Sequence, residues 1–245
     1  MQARIDEIAP DIYRLSVHVP DIGPGGFSFN HFLINAEQPL LFHCGARSMF
    51  AAVSAAAQRL MPLQRLRWIS FGHVEGDECG SMNQWLAAAP QAEVAQGTLA
   101  CELGLSELAD RPPRALADGD TIDLGGKRVR FLATPHVPHS WDAGVMFEET
   151  TGTLLCGDLF AHFGDAALTG DDILAPAVQA QQAFMGTAVT TFTAPTLRRL
   201  AALQPQALAL MHGASFRGDG QGQLTRLADY FEQELRASLE PKPAG

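Results

Sequence analysis

The sequence predicts a single α/β domain of two sheets, each covered by helices on its outer face. Three observations carry this expectation. Strand-like and helix-like segments follow the order strands, helix, strand, helix, strands, then helices with one inserted strand, an order that two helix-covered sheets accommodate. Hydrophobic residues make up 47% of the 245 residues and charged residues only 18%, so a sizeable core forms without disulfide staples. No Pro-, Gly- or Ser-rich linker, repeat or low-complexity tract divides the chain, so residues 1–245 are expected to fold as one domain.

The elements justify themselves in turn. Residues 12–17 (Ile-Tyr-Arg-Leu-Ser-Val) alternate well enough for a half-buried strand. Residues 29–35 and 39–43 bracket a turn at Asn35-Ala36-Glu37-Gln38, a hairpin signal. Residues 48–60 are rich in alanine, with apolar positions at helical spacing. The apolar run 66–71 reads as a strand, and residues 81–89 read as a helix that stops before Pro90. Residues 121–124 and 127–133 flank Gly125-Gly126, a tight hairpin turn, and residues 144–148 and 152–156 flank a second turn. Residues 176–186 and 195–203 look helical, 207–211 form a short apolar strand, and 221–237 form an amphipathic C-terminal helix.

Charge narrows the function classes. The formal net charge is −10. An acidic surface argues against nucleic acid and against an anionic membrane surface, both of which select clustered Lys and Arg. No apolar stretch reaches the roughly 20 residues needed to span a bilayer. Residues 1–7 are acidic and lack the apolar h-region of a secretory signal, so a cytoplasmic protein is expected. Cys44, Cys79, Cys101 and Cys156 are scattered without C-x-x-C spacing and read as reduced thiols. Cys156, inside Leu154-Leu155-Cys156, reads as a buried small hydrophobe.

The most informative stretch is His73-Val74-Glu75-Gly76-Asp77, directly after the predicted strand ending at Phe71. In an extended or tightly looped backbone, alternate side chains point the same way, so His73, Glu75 and Asp77 are expected to converge. Imidazole with two carboxylates suits a transition metal better than calcium. Other ligand-type residues fall at matching places. His136 and His139 follow the run 129–133, Asp158 follows 154–157, and His212 follows 208–211. One histidine after a strand is ordinarily a hydrogen-bonded surface residue, and one aspartate there is as readily a cap. Four apolar strands each ending in a histidine or an aspartate point instead to a metal site beyond the strand ends, where loops meet. The Gly-rich stretch 22–27 is not a nucleotide loop, because strand signals rather than a helix follow it.

These motifs resemble the metallo-β-lactamase superfamily, whose four-layer αββα sandwich holds one or two metals at strand ends. The usual superfamily motif is H-x-H-x-D-H, and this chain has His73-Val74-Glu75-Gly76-Asp77-Glu78. Glutamate at the third position resembles the diiron domain of flavodiiron proteins and of the oxygen-binding diiron proteins. His136-Val137-Pro138-His139-Ser140 and Leu155-Cys156-Gly157-Asp158 resemble the oxygen-binding branch in particular, over roughly residues 10 to 215. The resemblance implies one metal held by His73, Glu75 and His139, a second by Asp77 and His212, and Asp158 bridging them. His139 matches the family's H-S position, which leaves His136 to stand behind the ligands or in the pocket wall. His162 is a candidate supporting residue. Where the family often has a histidine after the motif aspartate, this chain has Glu78. Glu78 is then either a ligand or a side chain that points away and leaves water on the second metal.

The resemblance implies two metal ions, iron first, with manganese or zinc as alternatives, binding or reducing dioxygen or nitric oxide. No flavodoxin domain and no FMN are expected in this chain, so electrons would come from a separate flavoprotein or rubredoxin. A homodimer is the expected assembly. The alternative function is a dinuclear metallohydrolase acting on an ester, thioester, lactone or phosphodiester. Trp85, Trp141, Phe160, Phe163, Phe184 and Met185 are candidate pocket residues, and the 22–27 loop is expected as a hairpin tip beside the metals.

Overall fold

The computed structural model describes residues 1–240, and residues 241–245 of the expected domain lie outside the described residues. The first sheet holds β1 (Arg4–Ala9), β2 (Ile12–Val19), β3 (Phe27–Ile34), β4 (Leu40–Phe42), β5 (Trp68–Ser70), β6 (Glu93–Gly97) and β7 (Arg114–Leu116), in sequence order. The second holds β8 (Thr121–Asp123), β9 (Arg128–Ala133), β10 (Gly144–Glu148), β11 (Thr153–Leu155), β12 (Leu168–Thr169), β13 (Ala207–Ala209) and β14 (Ser215–Arg217), in the order β12-β14-β13-β11-β10-β9-β8.

The strands face one another through a shared apolar layer. Phe32, Ile34 and Phe42 of the first sheet and Val129, Phe131, Met146 and Leu155 of the second belong to one buried cluster. Each such side chain contributes roughly 1.5–3 kcal/mol through burial. The outer faces are covered separately. Leu15 and Val17 of β2 pack with Val53 and Ala57 of α1 (Phe50–Gln58) and with Trp85 and Leu86 of α3 (Met82–Ala88). On the other side, Ala177 of α6 (Leu174–Phe184), Leu197 and Leu200 of α7 (Thr193–Ala201), and Leu224, Leu227, Ala228 and Phe231 of α8 (Gly220–Leu239) cover the second sheet. The spacing of the four α8 residues is the apolar stripe the sequence shows. The architecture is therefore the expected αββα sandwich.

Five strands, the short helical turn at Gly76–Cys79 and one longer helical stretch escape the sequence reading. β1 is an edge strand carrying Asp6 and Glu7, whose acidity masks its alternation. β6 (Glu-Val-Ala-Gln-Gly), β7 (Arg-Ala-Leu), β12 (Leu-Thr) and β14 (Ser-Phe-Arg) lack the continuous apolar run that marks the short strands the sequence does show. Helical residues run through α4 (Thr98–Ala100), a wider turn at Cys101–Leu105 and α5 (Ser106–Leu108).

The topology gathers the strand ends. β11 and β13 are parallel, and β9 runs the same way because two antiparallel pairings, β9–β10 and β10–β11, separate it from β11. Their C-terminal ends therefore share one rim. The sheets are tied there by Gly144 N–H to Gly72 O at 2.8 Å and by Asn30 N–H to Met211 O at 2.9 Å. No described helix is long and apolar enough to cross a membrane. All four cysteines are free and buried, Cys156 as its apolar run predicts.

Candidate metal centre

At that rim, four side chains from three loops meet. Donor atoms of His73, Glu75, His139 and Asp158 all lie within 4.8 Å of one another. Glu75 Oε2 is 2.6 Å from His73 Nε2 and 3.2 Å from His139 Nε2. Asp158 Oδ2 is 3.5 Å from His139 Nε2 and 3.9 Å from His73 Nε2. The other oxygen of Asp158 faces elsewhere: Oδ1 is 3.3 Å from His212 Nε2, which is itself 3.5 Å from Asp77 Oδ2. Asp158 thus stands between two donor sets with one oxygen turned to each.

Asp77 departs from the expected convergence. It does not join His73 and Glu75, because residues 76–79 close into a helical turn, α2 (Gly76–Cys79), just after the extended Glu75. The two-residue period ends there, and Asp77 is carried toward His212.

Two of the three inward-facing histidines are held by a hydrogen bond from the other nitrogen, and the third turns it to a carboxylate. His139 Nδ1–H donates to Gly186 O at 2.5 Å and His212 Nδ1–H to Ser28 O at 2.9 Å. His73 Nδ1 faces Glu78 Oε1 at 3.4 Å. This pattern fixes Nε2 as the inward atom in all three, the arrangement of metal-binding imidazoles. Asp142 touches no ring nitrogen; it accepts from Val74 N–H at 2.9 Å and from the Ser140 hydroxyl, tying the two ligand loops together. Asn30 Nδ2 donates to Leu210 O and Gly213 O, both at 2.8 Å, and so clamps the His212 loop from the opposite sheet. Sequence reasoning missed Asn30 and Ser28, whose contacts join positions about 180 residues apart, and it offered Asp142 as a partner for a ligand histidine, whereas Asp142 accepts from Val74 N–H and the Ser140 hydroxyl instead.

His136 and His162 stand outside the cluster. His136 is exposed, and its backbone N–H donates to Ser140 O, so it is neither behind a ligand nor in the pocket wall. His162 is buried with both nitrogens committed: Nδ1–H donates to Phe160 O at 2.9 Å and Nε2 accepts from Ala214 N–H at 2.9 Å. It props the turn after His212, and Gly213 beside it has φ +90° and room for no side chain, since a Cβ would meet the His162 ring at 2.4 Å. His139→Ala is therefore expected to lose metal from the first donor set, whereas His136→Ala keeps full metal content. Metal analysis of the two purified variants checks this, and equal loss would assign the wrong histidine.

Electrostatics mark the centre as built for cations. Burial alone would lower the His73 pKa, but Glu78, Glu75 and Asp158 outweigh it and raise it to about 9. Burial likewise opposes His212, and Asp158 and Asp77 raise it to about 10. His139 and His73 hold Glu75 well below the usual carboxylate range. Burial would raise Asp158, yet His212, His73 and His139 hold it down. Asp158 Oδ1 is buried with no hydrogen-bond partner. A buried, ionised oxygen without a donor fits a bound cation, and the imidazole–carboxylate donor set fits iron or manganese.

The centre opens into a cavity of about 340 Å³. Its walls include Phe27, Phe29, Phe160, Phe184, Tyr230 and Phe231. Phe27 stacks on His212 with ring centroids 4.3 Å apart, and Ile22 reaches the cavity, so the 22–27 loop is the hairpin tip expected beside the site. Phe160 and Phe184 line the cavity as expected. Phe163 packs against Phe27 and Phe184, behind the wall. Trp85 is instead in the core under the first sheet, its indole N–H on Cys44 O at 3.0 Å. Trp141 borders a different recess and Met185 is exposed. Helical spacing alone did not reveal that α8 presents Tyr230 and Phe231 to the site.

An αββα sandwich with two histidine–carboxylate sets bridged by one aspartate defines the metallo-β-lactamase-like diiron class of domain. The chain belongs to the ODP family: the profile of the ODP family beta lactamase matches residues 27–213. Among solved structures, the metal-soaked Flv1 flavodiiron core from Synechocystis sp. PCC6803 superposes with a TM-score of 0.84 at 23% identity, covering 96% of this chain and 62% of that one. The anaerobic nitric oxide reductase flavorubredoxin of Salmonella arizonae is 24% identical over 225 residues, 86% of this chain and 47% of the relative. The hydroxyacylglutathione hydrolase of Acidiphilium cryptum is 36% identical over 135 residues, 49% of this chain and 51% of the relative. The chain spans between about a quarter and a half of the length of the curated relatives it matches.

Proposed function

We propose that this chain is a dinuclear metal protein, with iron as the native metal, that binds or reduces dioxygen or nitric oxide. The observation that carries the reading is Asp158, with Oδ2 directed to His73, Glu75 and His139 and Oδ1 directed to His212 and Asp77. His73, Glu75 and His139 would hold one ion, Asp77 and His212 the other, and Asp158 both. Two ferrous ions so placed would supply the ligand binding and electron transfer. The protein's own part is to position, shield and balance charge. Gly186 O, Ser28 O and Glu78 fix the imidazole rings, and the carboxylates offset the cations' charge. The largely aromatic walls suit an apolar diatomic.

Electrons would reach the site from a separate flavoprotein or rubredoxin, in keeping with the flavodiiron and flavorubredoxin relatives. Phe184, half-exposed at the cavity, and the exposed Met185 next to it give such a donor an apolar surface to meet. A reducing cytoplasm, where its four cysteines stay thiols, suits this reading.

A second reading has a specific observation behind it. The cavity is about ten times the ~30 Å³ share of one water molecule, room for an organic substrate. A dinuclear hydrolase acting on an ester or thioester would use that room, and the partial match to a hydroxyacylglutathione hydrolase agrees with it. Protein purified without oxygen separates the two. Two irons per chain and a visible absorption band on exposure to air or nitric oxide are expected. Bound zinc with esterase or thioesterase activity, and no spectral response, would establish the hydrolase instead.

A further inference from the structure

We propose that the two metal positions are unequal, and that Glu78 is what makes them so. The inference rests on the dinuclear reading above. The first position gathers four side chains, His73, Glu75, His139 and Asp158, already within 4.8 Å of one another. The second gathers three, His212, Asp77 and the Oδ1 side of Asp158. Among the described residues, no other set of three or more His, Cys, Asp or Glu donors meets that spacing. The second position is therefore less complete and less preassembled.

Glu78 follows Asp77 directly and is the residue whose chemistry would complete the second position. Its geometry forbids this. Asp77 and Glu78 lie in one helical turn, where consecutive side chains diverge by about 100°. With Asp77 directed to His212, Glu78 is directed behind His73. There its Oε2 accepts from His73 N–H at 2.7 Å, and Oε1 lies 3.4 Å from His73 Nδ1 and 3.7 Å from His43 Nε2. The carboxyl is fully buried, and Gly72 leaves it no slack: a Cβ at that glycine would meet both oxygens at 2.8 Å. Swinging Glu78 into the site would strip the His73 N–H of its partner and take the carboxylate away from His43 Nε2, which makes no hydrogen bond. The side chain therefore supports the first position by holding His73, and adds nothing to the second.

Three consequences follow for the whole chain. Metal loads in two steps, tight at the first position and weaker at the second. The second ion keeps more coordination positions for water or an incoming ligand. Asp77 and His212 line the cavity, as do Glu75, His139 and Asp158, so an incoming ligand would have access to both positions from one side.

Anaerobic titration of the metal-free chain with Co(II), followed by calorimetry and visible absorption, tests the inference without reference to activity. The expected result is two resolved steps of one equivalent each, separated by about tenfold or more in affinity. His212→Ala should remove the weaker step and keep the tighter one. Glu78→Gln, a nearly isosteric change whose folding is verified by thermal melting, should weaken the tighter step about 10–100-fold and leave the weaker step in place. Two equivalents bound in a single step would overturn the inequality alone. Loss of the weaker step in Glu78→Gln with the tighter step unchanged would show Glu78 to be a ligand of the second ion. Fewer than two equivalents in the unaltered chain would overturn the dinuclear reading itself.

Discussion

Asp158→Ala leaves the protein unable to hold metal at either position. No other substitution in the centre is expected to act on both, because no other side chain presents one oxygen to each donor set. Its removal takes a charged donor from both positions, and the cations' mutual repulsion loses the carboxylate that offsets it. The affinity loss should exceed, at each position, the 10–100-fold typical when only a supporting partner of a ligand is removed. Asp158→Asn separates charge from volume: the amide fills the same space and offers one neutral oxygen. It should also fail to retain two metals. Metal content measured after gel filtration checks both variants. Retention of one tightly bound ion in Asp158→Ala would show that Asp158 belongs to a single position.

Metal affinity should rise steeply with pH between about 6 and 9. In the metal-free protein His73 is raised to about 9 and His212 to about 10, and His139 is raised too, chiefly by Glu75. His73 and His212 are therefore protonated at neutral pH, and both must surrender that proton for Nε2 to bind a cation. Filling both positions should release about two protons from these rings at pH 7, so the overall affinity climbs by up to about two decades per pH unit and levels off above the raised values. Proton release measured by calorimetry in buffers of different ionisation enthalpy checks the count. Affinity that does not change between pH 6 and 8 would contradict it. The same shifts fix the sign for folding of the metal-free chain. A raised histidine stabilises fully below its unfolded value, about 6.5, and that contribution fades as pH rises through 9 to 10. The lowered carboxylates of Glu75 and Asp158 act oppositely, stabilising above their unfolded values and losing that contribution in acid. The metal-free protein should thus lose thermal stability from neutral to alkaline pH, while the loaded protein, whose histidines carry metal in place of protons, should not.

Much of this centre is legible in the chain because the sandwich places ligands where apolar strands end. His73, His139, Asp158 and His212 each follow a run that folds as β5, β9, β11 or β13, and a strand's end needs only composition and length to be seen. Pairing Glu75 with His73 follows from the two-residue period. What the period could not foresee is where it stops. The turn at Gly76–Cys79 sends Asp77 to the second donor set and Glu78 behind the first. The supports are less visible still. Asn30 and Ser28 sit on β3 and hold a loop about 180 residues away, a contact that exists only once the sheets face each other. The aromatic wall shows the same limit: Trp85 has the composition of a pocket residue but lies under the first sheet, whereas Tyr230 and Phe231 reach the cavity from a helix whose apolar stripe reads as ordinary core.

The central claim is that one carboxylate joins two metal positions. Anomalous diffraction from crystals of the loaded protein, recorded at the metal's absorption edge, addresses it most directly. The expected map holds two peaks about 3.5–4 Å apart, one among His73, Glu75 and His139, the other beside Asp77 and His212, with the Asp158 carboxylate between them. A single peak, or a second peak beyond the reach of Asp158, would contradict it.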